Sequence, residues 1–227
     1  MWIKICGNTN LEDAQLAVEA GANAVGFVFA ASPRQVTADT VSRITPHLPE
    51  TIEKYGVFVD AGFDEIIQTV TDSGLTGAQL HSIDDPLLPT KLREHFGPAF
   101  GILRVIHYVQ DLETQLNALR ENNTADAVLI DSRTATAVGG TGMRFDWQAA
   151  SRSFLDSAPR LRLIAAGGLN PENVAEAIRL LEPWGIDVVS GVESAPGRKD
   201  PARVKAFVTE AKMAAVKSQP HPGDGVS

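Results

Sequence analysis

Two side chains that can carry protons stand at the ends of short apolar runs, and they are the first candidates for chemistry. Cys6 is the single cysteine of the chain, and Asp131 directly follows the apolar residues 127–130. A thiol reacts as a thiolate, so a functional Cys6 needs a positive neighbour or a helix N-terminus to favour its ionisation. Taken alone, Cys6 is more simply explained as a small packing residue. Asp131 could be a helix cap, an ion-pair partner or an acid–base group.

Small residues in three loops form a candidate anion site: Gly140, Gly167, Gly168, Ser190 and Gly191. Such residues let backbone amides approach a phosphate closely, and the positive end of a helix dipole favours the anion. The same residues also occur in ordinary tight turns. The loop at 138–142, with Gly140 at its centre, could cover a ligand or simply be flexible.

The elements that must position these residues alternate regularly along the chain. Eight short runs are apolar without strict alternation, which is typical of parallel strands covered on both faces. We predict strands at residues 2–6, 24–29, 55–59, 78–80, 102–106, 127–131, 161–165 and 187–190.

Helical periodicity fills the segments between the predicted strands. Apolar stripes recur at helical spacing: Phe63, Ile66, Ile67 and Val70; Leu112, Leu116 and Leu119; Val174, Ala177, Ile178 and Leu181; Val204, Phe207, Val208 and Ala211. Asn10, Asn170 and Asp200 are predicted N-caps, the last two followed directly by proline, and Gly21 is a predicted helix stop.

Eight β–α units in 227 residues predict an α/β fold, a single-domain (β/α)8 TIM barrel over residues 1–216. The alternative is an open doubly wound sheet. Glycine loops after the seventh and eighth strands favour the barrel, because barrel enzymes often bind phosphate there. Residues 217–227 are rich in proline, glycine and polar residues, and we expect a disordered tail.

In a barrel, functional groups gather at the C-terminal ends of the strands. That rule brings Cys6 and Asp131 toward one mouth, together with polar residues near the ends of other strands: Arg34, Asp60, His81 and Arg104. Arg34, Arg104 and the N-terminus of the first helix are candidates for the positive neighbour of Cys6. We interpret Gln79 and His81 as supporting residues.

Composition excludes several classes of protein. The net charge of −8, without a cluster of lysines and arginines, argues against a nucleic-acid binder. One cysteine permits no internal disulfide, no apolar run approaches the ~20 residues of a membrane span, and the N-terminus lacks a signal-peptide pattern. We therefore expect a cytoplasmic protein without a membrane partner.

The most specific motifs are "KICG" at the first predicted strand and "SGVE" followed by "PGRKD" at the last. Between them stand, in order, "GANAVGFVF", "SPRQV", "GVFVD", "AQLH", "LIDS", "GGTG" and "AAGGLNPENV". Together these segments resemble the phosphoribosylanthranilate isomerase family, from Ile3 to about Phe207.

The resemblance implies a barrel enzyme of tryptophan biosynthesis that needs no metal and no organic cofactor. Its substrate would be a small phosphosugar, N-(5-phosphoribosyl)anthranilate, isomerised to 1-(2-carboxyphenylamino)-1-deoxyribulose 5-phosphate by an Amadori rearrangement. The family's general base falls on Cys6 and its general acid on Asp131. Arg34 falls on the arginine that meets the anthranilate carboxylate, and the glycine loops would hold the phosphate. The family permits a monomer or a homodimer.

Four residues depart from those usual in the family: Asp60, Ser82, Met143 and Val189. Three other functions stay open at this point. A related sugar-phosphate isomerase of histidine biosynthesis uses an aspartate base, against which Cys6 argues. A barrel that binds a phosphate ligand without catalysis would not need both Cys6 and Asp131. A nucleic-acid or partner-binding module would need a basic patch.

Overall fold

Eight parallel strands close into a barrel in chain order, in a computed structural model that describes residues 1–82, 85–107, 124–131 and 162–217. The strands are β1 (Trp2–Ile5), β2 (Ala24–Val28), β3 (Glu53–Val59), β4 (Gly77–Ser82), β5 (Gly101–His107), β6 (Ala127–Asp131), β7 (Arg162–Ala166) and β8 (Gly185–Val188). The ring closes where β1 pairs in parallel with β8. The predicted TIM barrel is therefore confirmed, and the open doubly wound sheet was the wrong alternative.

The barrel wall separates two apolar clusters, because successive side chains of a strand point to opposite faces. On β1, Ile3 and Ile5 belong to the larger cluster that packs under the helices. Trp2 belongs to the smaller cluster, which lies inside the barrel. By the same alternation Lys4 and Cys6 face the barrel interior.

The described helices cover the outside of the barrel. They are α1 (Leu11–Ala20), α2 (Ala38–Ser42), α3 (Phe63–Ser73), α4 (Leu88–Phe96), α5 (Val174–Leu181) and α6 (Pro201–Lys217), with 3-10 helices at Thr45–His47 and Ser190–Val192. A short antiparallel pair, β9 (Glu193–Ala195) and β10 (Arg198–Lys199), follows β8. The predicted stripes of α5 and α6 are buried, which confirms the helical periodicity.

Three of the four predicted helix boundaries are confirmed. The Asn10 side chain accepts from the Asp13 amide at 2.8 Å, Gly21 ends α1 with φ 90°, and the Asp200 side chain caps α6. The fourth was wrong in detail. The helix after β7 begins at Val174, while the Asn170 side chain caps the preceding turn.

The end of the eighth strand was also predicted wrongly. β8 runs over Gly185–Val188, two residues earlier than predicted, because its ladder to β1 ends where Ile5 lies opposite Val188. Val189 then leaves the strand with φ −123° and ψ −86°. Ser190 and Gly191 therefore begin a 3-10 turn instead of closing the strand.

Several predictions fall outside the described residues. They concern Gly140 and the loop at 138–142, Met143, the stripe of Leu112, Leu116 and Leu119, and nearly all of the tail at 217–227. In the parts of the chain that the structure describes, no helix has both the length and the apolar character needed to cross a membrane.

Candidate functional site

A cavity of about 260 Å³ opens at the carboxyl ends of the barrel strands. Seven of the eight residues predicted for the site line it: Cys6, Arg34, Asp131, Gly167, Gly168, Ser190 and Gly191. Gly140, the eighth, lies outside the described residues. Residues from five separate parts of the chain thus meet at one cavity, as the rule that functional groups gather at strand ends predicted.

Cys6 lies above a buried lysine that the sequence analysis missed. The Lys4 ammonium donates to the Gln79 side chain at 2.8 Å and to the Asp187 carboxylate at 2.9 Å. Burial raises the pKa of the Cys6 thiol above its usual range. The nearby ammonium of Lys4 lowers that pKa and the carboxylate of Asp187 raises it further. Lys4 could have been found in the sequence, since it stands two residues before Cys6 and therefore on the same face of β1.

Two glycines make room for the charged side chains around the thiol. At Gly26, a Cβ would stand 2.5 Å from the Cys6 sulfur and 3.0 Å from the Lys4 Cε. Gly7 has φ 74°, and a Cβ there would stand 2.9 Å from the Arg34 Cδ. The glycine of the "KICG" motif thus combines a left-handed backbone with close approach of Arg34.

Arg34 is fixed by a carboxylate that the sequence analysis also missed. Its Nε donates to Glu193 Oε1 at 2.8 Å and its Nη2 to Glu193 Oε2 at 2.6 Å. The Lys199 ammonium donates to the same carboxylate at 3.2 Å and to the Cys6 carbonyl oxygen at 2.6 Å. Burial alone would raise the pKa of Glu193, but the hydrogen bond from Arg34 and the charge of Lys199 hold it below its usual range. This network explains the glutamate of "SGVE" and the lysine of "GRKD".

Asp131 reaches the cavity from another part of the ring. It is the last residue of β6, paired with His107 on one side and Ala166 on the other, and it is partly exposed. In the closed order of strands, β6 lies three places from β1, by way of β8 and β7. A small ligand in the cavity can therefore have Cys6 on one side and Asp131 on another.

Other strand-end residues divide between cavity and surroundings. Gln79 and His81 of β4 line the cavity. Arg104 does not, since its neighbours Leu103 and Val105 belong to the interior cluster and the side chain between them points away from it. The prediction of Arg104 as a positive neighbour of Cys6 was therefore wrong, and Lys4 occupies that place.

The glycine loops after β7 and β8 approach each other at the rim of the cavity. Gly167 and Gly168 have φ 83° and 65°, a left-handed backbone that glycine adopts without strain. Gly191 has no positive φ, but a Cβ there would overlap the backbone carbonyl oxygen of Leu169. The two loops can pack this closely only because position 191 lacks a side chain.

Gly191→Ala is expected to lower the free energy of unfolding by about 1–3 kcal/mol, because the methyl group forces the two loops apart. Urea denaturation followed by circular dichroism measures the change. Gly62→Ala is the matched control, since position 62 has nothing within 4 Å and no positive φ. Its effect should stay below about 1 kcal/mol. Equal losses in the two variants would contradict the proposed close packing at Gly191.

The described residues contain no group of three or more His, Cys, Asp or Glu side chains placed to hold a metal ion. The side chains that line the cavity supply a thiol, two carboxyls, an imidazole and a guanidinium. A thiol and a carboxyl on separate strands suit proton transfer at two atoms of one small ligand.

Comparisons of the sequence and of the structure with known proteins point to the same family. The model of the family described as N-(5'-phosphoribosyl)anthranilate (PRA) isomerase matches residues 3–210. A curated N-(5'-phosphoribosyl)anthranilate isomerase of Geobacter sp. (strain M21) is 41% identical over 211 residues, which is 92% of this chain and 97% of that protein.

Solved structures agree with the sequence comparison. The phosphoribosyl anthranilate isomerase of Thermotoga maritima matches with a TM-score of 0.79 and 36% identity, over 94% of this chain and 99% of that chain. A phosphoribosyl anthranilate isomerase solved in complex with reduced 1-(o-carboxyphenylamino)-1-deoxyribulose 5-phosphate matches with a TM-score of 0.77 and 36% identity, over the same shares of the two chains.

Proposed function

Because the chain belongs to the N-(5'-phosphoribosyl)anthranilate isomerase family, whose members are isomerases of tryptophan biosynthesis, we propose that it converts N-(5-phosphoribosyl)anthranilate to 1-(2-carboxyphenylamino)-1-deoxyribulose 5-phosphate by an Amadori rearrangement. Asp131 is the general acid and Cys6 the general base. The observation that carries this assignment is that both side chains line one cavity, Cys6 directly after β1 and Asp131 at the end of β6.

The first step opens the ribose ring. The ring oxygen leaves only if it gains a proton as its bond to C1 breaks, and the protonated Asp131 carboxyl supplies that proton. The lone pair of the anthranilate nitrogen forms the new double bond to C1, which leaves a cationic Schiff base. The carboxyl thus becomes a carboxylate as the positive charge develops on the substrate.

The second step moves a proton from carbon. The iminium withdraws electrons from C2, whose proton is then acidic enough for the Cys6 thiolate to remove. The product is an enolamine, which becomes the ketone when its C2 hydroxyl loses a proton and C1 gains one. No atom is added or lost overall, as an isomerisation requires.

Arg34 binds the anthranilate carboxylate in this proposal. A guanidinium has five N–H donors, and Glu193 uses two of them, one on Nε and one on Nη2. Contacts with the described residues leave three donors, two of them on Nη1, for a substrate carboxylate. The pairing with Glu193 fixes the plane of the guanidinium, so a substrate carboxylate meets an oriented fork of donors.

The glycine loops bind the phosphate at the far end of the substrate. Gly167, Gly168, Ser190 and Gly191 line the same cavity as the acid and the base, and their backbone amides suit an anion. The related enzyme solved with a reduced deoxyribulose 5-phosphate compound supports a phosphosugar ligand of this kind. Binding energy from the phosphate then positions the sugar between Asp131 and Cys6.

Glu193→Gln is expected to raise KM for phosphoribosylanthranilate on the order of tenfold, because it replaces two charge-assisted hydrogen bonds to Arg34 by weaker ones. The effect on kcat should be smaller, since neither reacting group changes. Steady-state kinetics measures both. Glu172→Gln is the matched control, as Glu172 is 69% exposed and lies on the surface near Arg203. An unchanged KM in Glu193→Gln would contradict the positioning of Arg34 by Glu193.

The proposed function is tested by following the fluorescence of phosphoribosylanthranilate after the purified protein is added. Decay of the fluorescence, with product formed in equal amount, supports the isomerase. If the folded protein binds a phosphosugar analogue but leaves the fluorescence unchanged, the isomerase proposal is overturned in favour of a barrel that only binds phosphate compounds.

A further inference from the structure

A buried lysine lies beneath the proposed base and does not itself line the cavity. Lys4 has no solvent exposure (0%). Its ammonium has three protons and donates to Gln79 and Asp187. The lysine side chain and the thiol flank one position, since a Cβ at Gly26 would stand 3.0 Å from the Lys4 Cε and 2.5 Å from the Cys6 sulfur. Gln79, Asp187 and Cys6 line the cavity, whereas Lys4 does not. Lys4 can therefore influence a ligand only through these neighbours.

Packing alone does not account for an ammonium at this place. Burying a charge costs several kcal/mol before its partners compensate, and barrel interiors are usually filled by branched apolar side chains. The layer just below is indeed apolar, with Trp2, Leu103 and Ile164 in one cluster. The charge thus stands at the boundary between the packed interior and the cavity, next to the thiol.

The surroundings of Cys6 hold an excess of positive charge. Among the described residues, three cations and two carboxylates are linked by ion pairs on this side of the cavity: Lys4, Arg34, Lys199, Asp187 and Glu193. Three positive and two negative charges leave one positive charge, which a Cys6 thiolate would balance. His81 and Asp131 face the same cavity from β4 and β6.

We propose that Lys4 is the positioning residue for the Cys6 base: its buried ammonium, fixed beside the sulfur by Gln79 and Asp187, stabilises the thiolate, while Asp187 limits that stabilisation. The inference rests on the proposed function, in which Cys6 removes the C2 proton. A base that is ionised too easily would be too weak to take a proton from carbon. Lys4 therefore makes the thiolate accessible, and Asp187 keeps it strongly basic.

The directions of the pKa shifts agree with this division of roles. Burial lowers the pKa of Lys4, but Asp187 and Cys6 raise it, and it lies above the ordinary 10.5, so Lys4 stays a cation at neutral pH. Burial raises the pKa of the Cys6 thiol above the ordinary 9.0. Against that shift Lys4 lowers the pKa, whereas Asp187 raises it. Loss of Lys4 should therefore raise the thiol pKa, and loss of the Asp187 charge should lower it.

The test uses the single cysteine of the chain, so that alkylation reports on one thiol. The rate of alkylation by iodoacetamide is measured against pH, without substrate, for the parent, Lys4→Met, Asp187→Asn and the double variant. Lys54→Met is the matched control, because Lys54 is also buried, at 6% exposure, but its ammonium donates to the carbonyls of Pro49 and Ile52.

We expect the midpoint of thiol ionisation to rise by about one pH unit or more in Lys4→Met and to fall by about one in Asp187→Asn, the usual size for a close charge. The double variant should lie between the two, and Lys54→Met should match the parent. If Lys4→Met does not fold, the difference between the ionisation midpoints of Asp187→Asn and the double variant tests the role of Lys4 instead.

Midpoints that coincide in all folded variants would overturn the role of Lys4. The proposed isomerase fails separately, because it is judged by product formation in the parent. Shifted midpoints in a protein that forms no product would leave the influence of Lys4 on the thiol intact and remove only the reaction.

Discussion

Cys6→Ala is expected to lower kcat/KM for phosphoribosylanthranilate by about three orders of magnitude, while the barrel stays folded. General base catalysis contributes roughly 10²–10⁴-fold, and alanine leaves no group at position 6 that can take the C2 proton. The side chain is 2% exposed, so the substitution removes a small buried volume and little stability. Decay of substrate fluorescence gives the activity, and thermal unfolding gives the fold.

Cys6→Ser distinguishes loss of the base from loss of packing. Serine nearly restores the volume, but its hydroxyl is far too weak an acid to supply an anion, so activity should stay as low as in the alanine variant. Blocking the parent thiol with iodoacetamide should abolish activity in proportion to the fraction alkylated. Activity that survives in both variants would leave the isomerase but remove the thiol as its base.

Asp131→Asn should cause a loss of similar size, about two to four orders of magnitude in kcat. Asparagine keeps the shape of the side chain but has no acidic proton to give to the ring oxygen. Binding should change less, because the substrate phosphate and carboxylate meet other residues. Measuring kcat and KM separately shows whether the loss lies in the chemical step.

Asp60→Asn is the matched control for that substitution. Asp60 directly follows β3, much as Asp131 ends β6, but it is exposed and does not line the cavity. Its φ of 52° is one that asparagine adopts readily. Activity within about twofold of the parent is expected. If Asp131→Asn turned over as fast as Asp60→Asn, Asp131 could not be the general acid.

The sequence alone determined the architecture and most of the cavity. Short apolar runs separated by amphipathic helices allow few arrangements, and eight of them in a row close a barrel whose functional end is fixed by chain direction. Cys6, Arg34, Asp131 and the loops at 167–168 and 190–191 could be placed at one mouth because each lies near the end of a strand. Their roles, however, came from the resemblance to a family.

Tertiary structure decided the contacts that tune these groups. Lys4 meets Gln79 across 75 positions and Asp187 across 183, and Arg34 meets Glu193 across 159. A periodic pattern tells which face of a strand a residue occupies, but it does not tell which residue of another strand stands opposite. That choice depends on the register of the closed ladder, which also ended β8 at Val188 rather than at Ser190. Register is set by the packing of the whole barrel, so the charges around Cys6 became known only once the ring was closed.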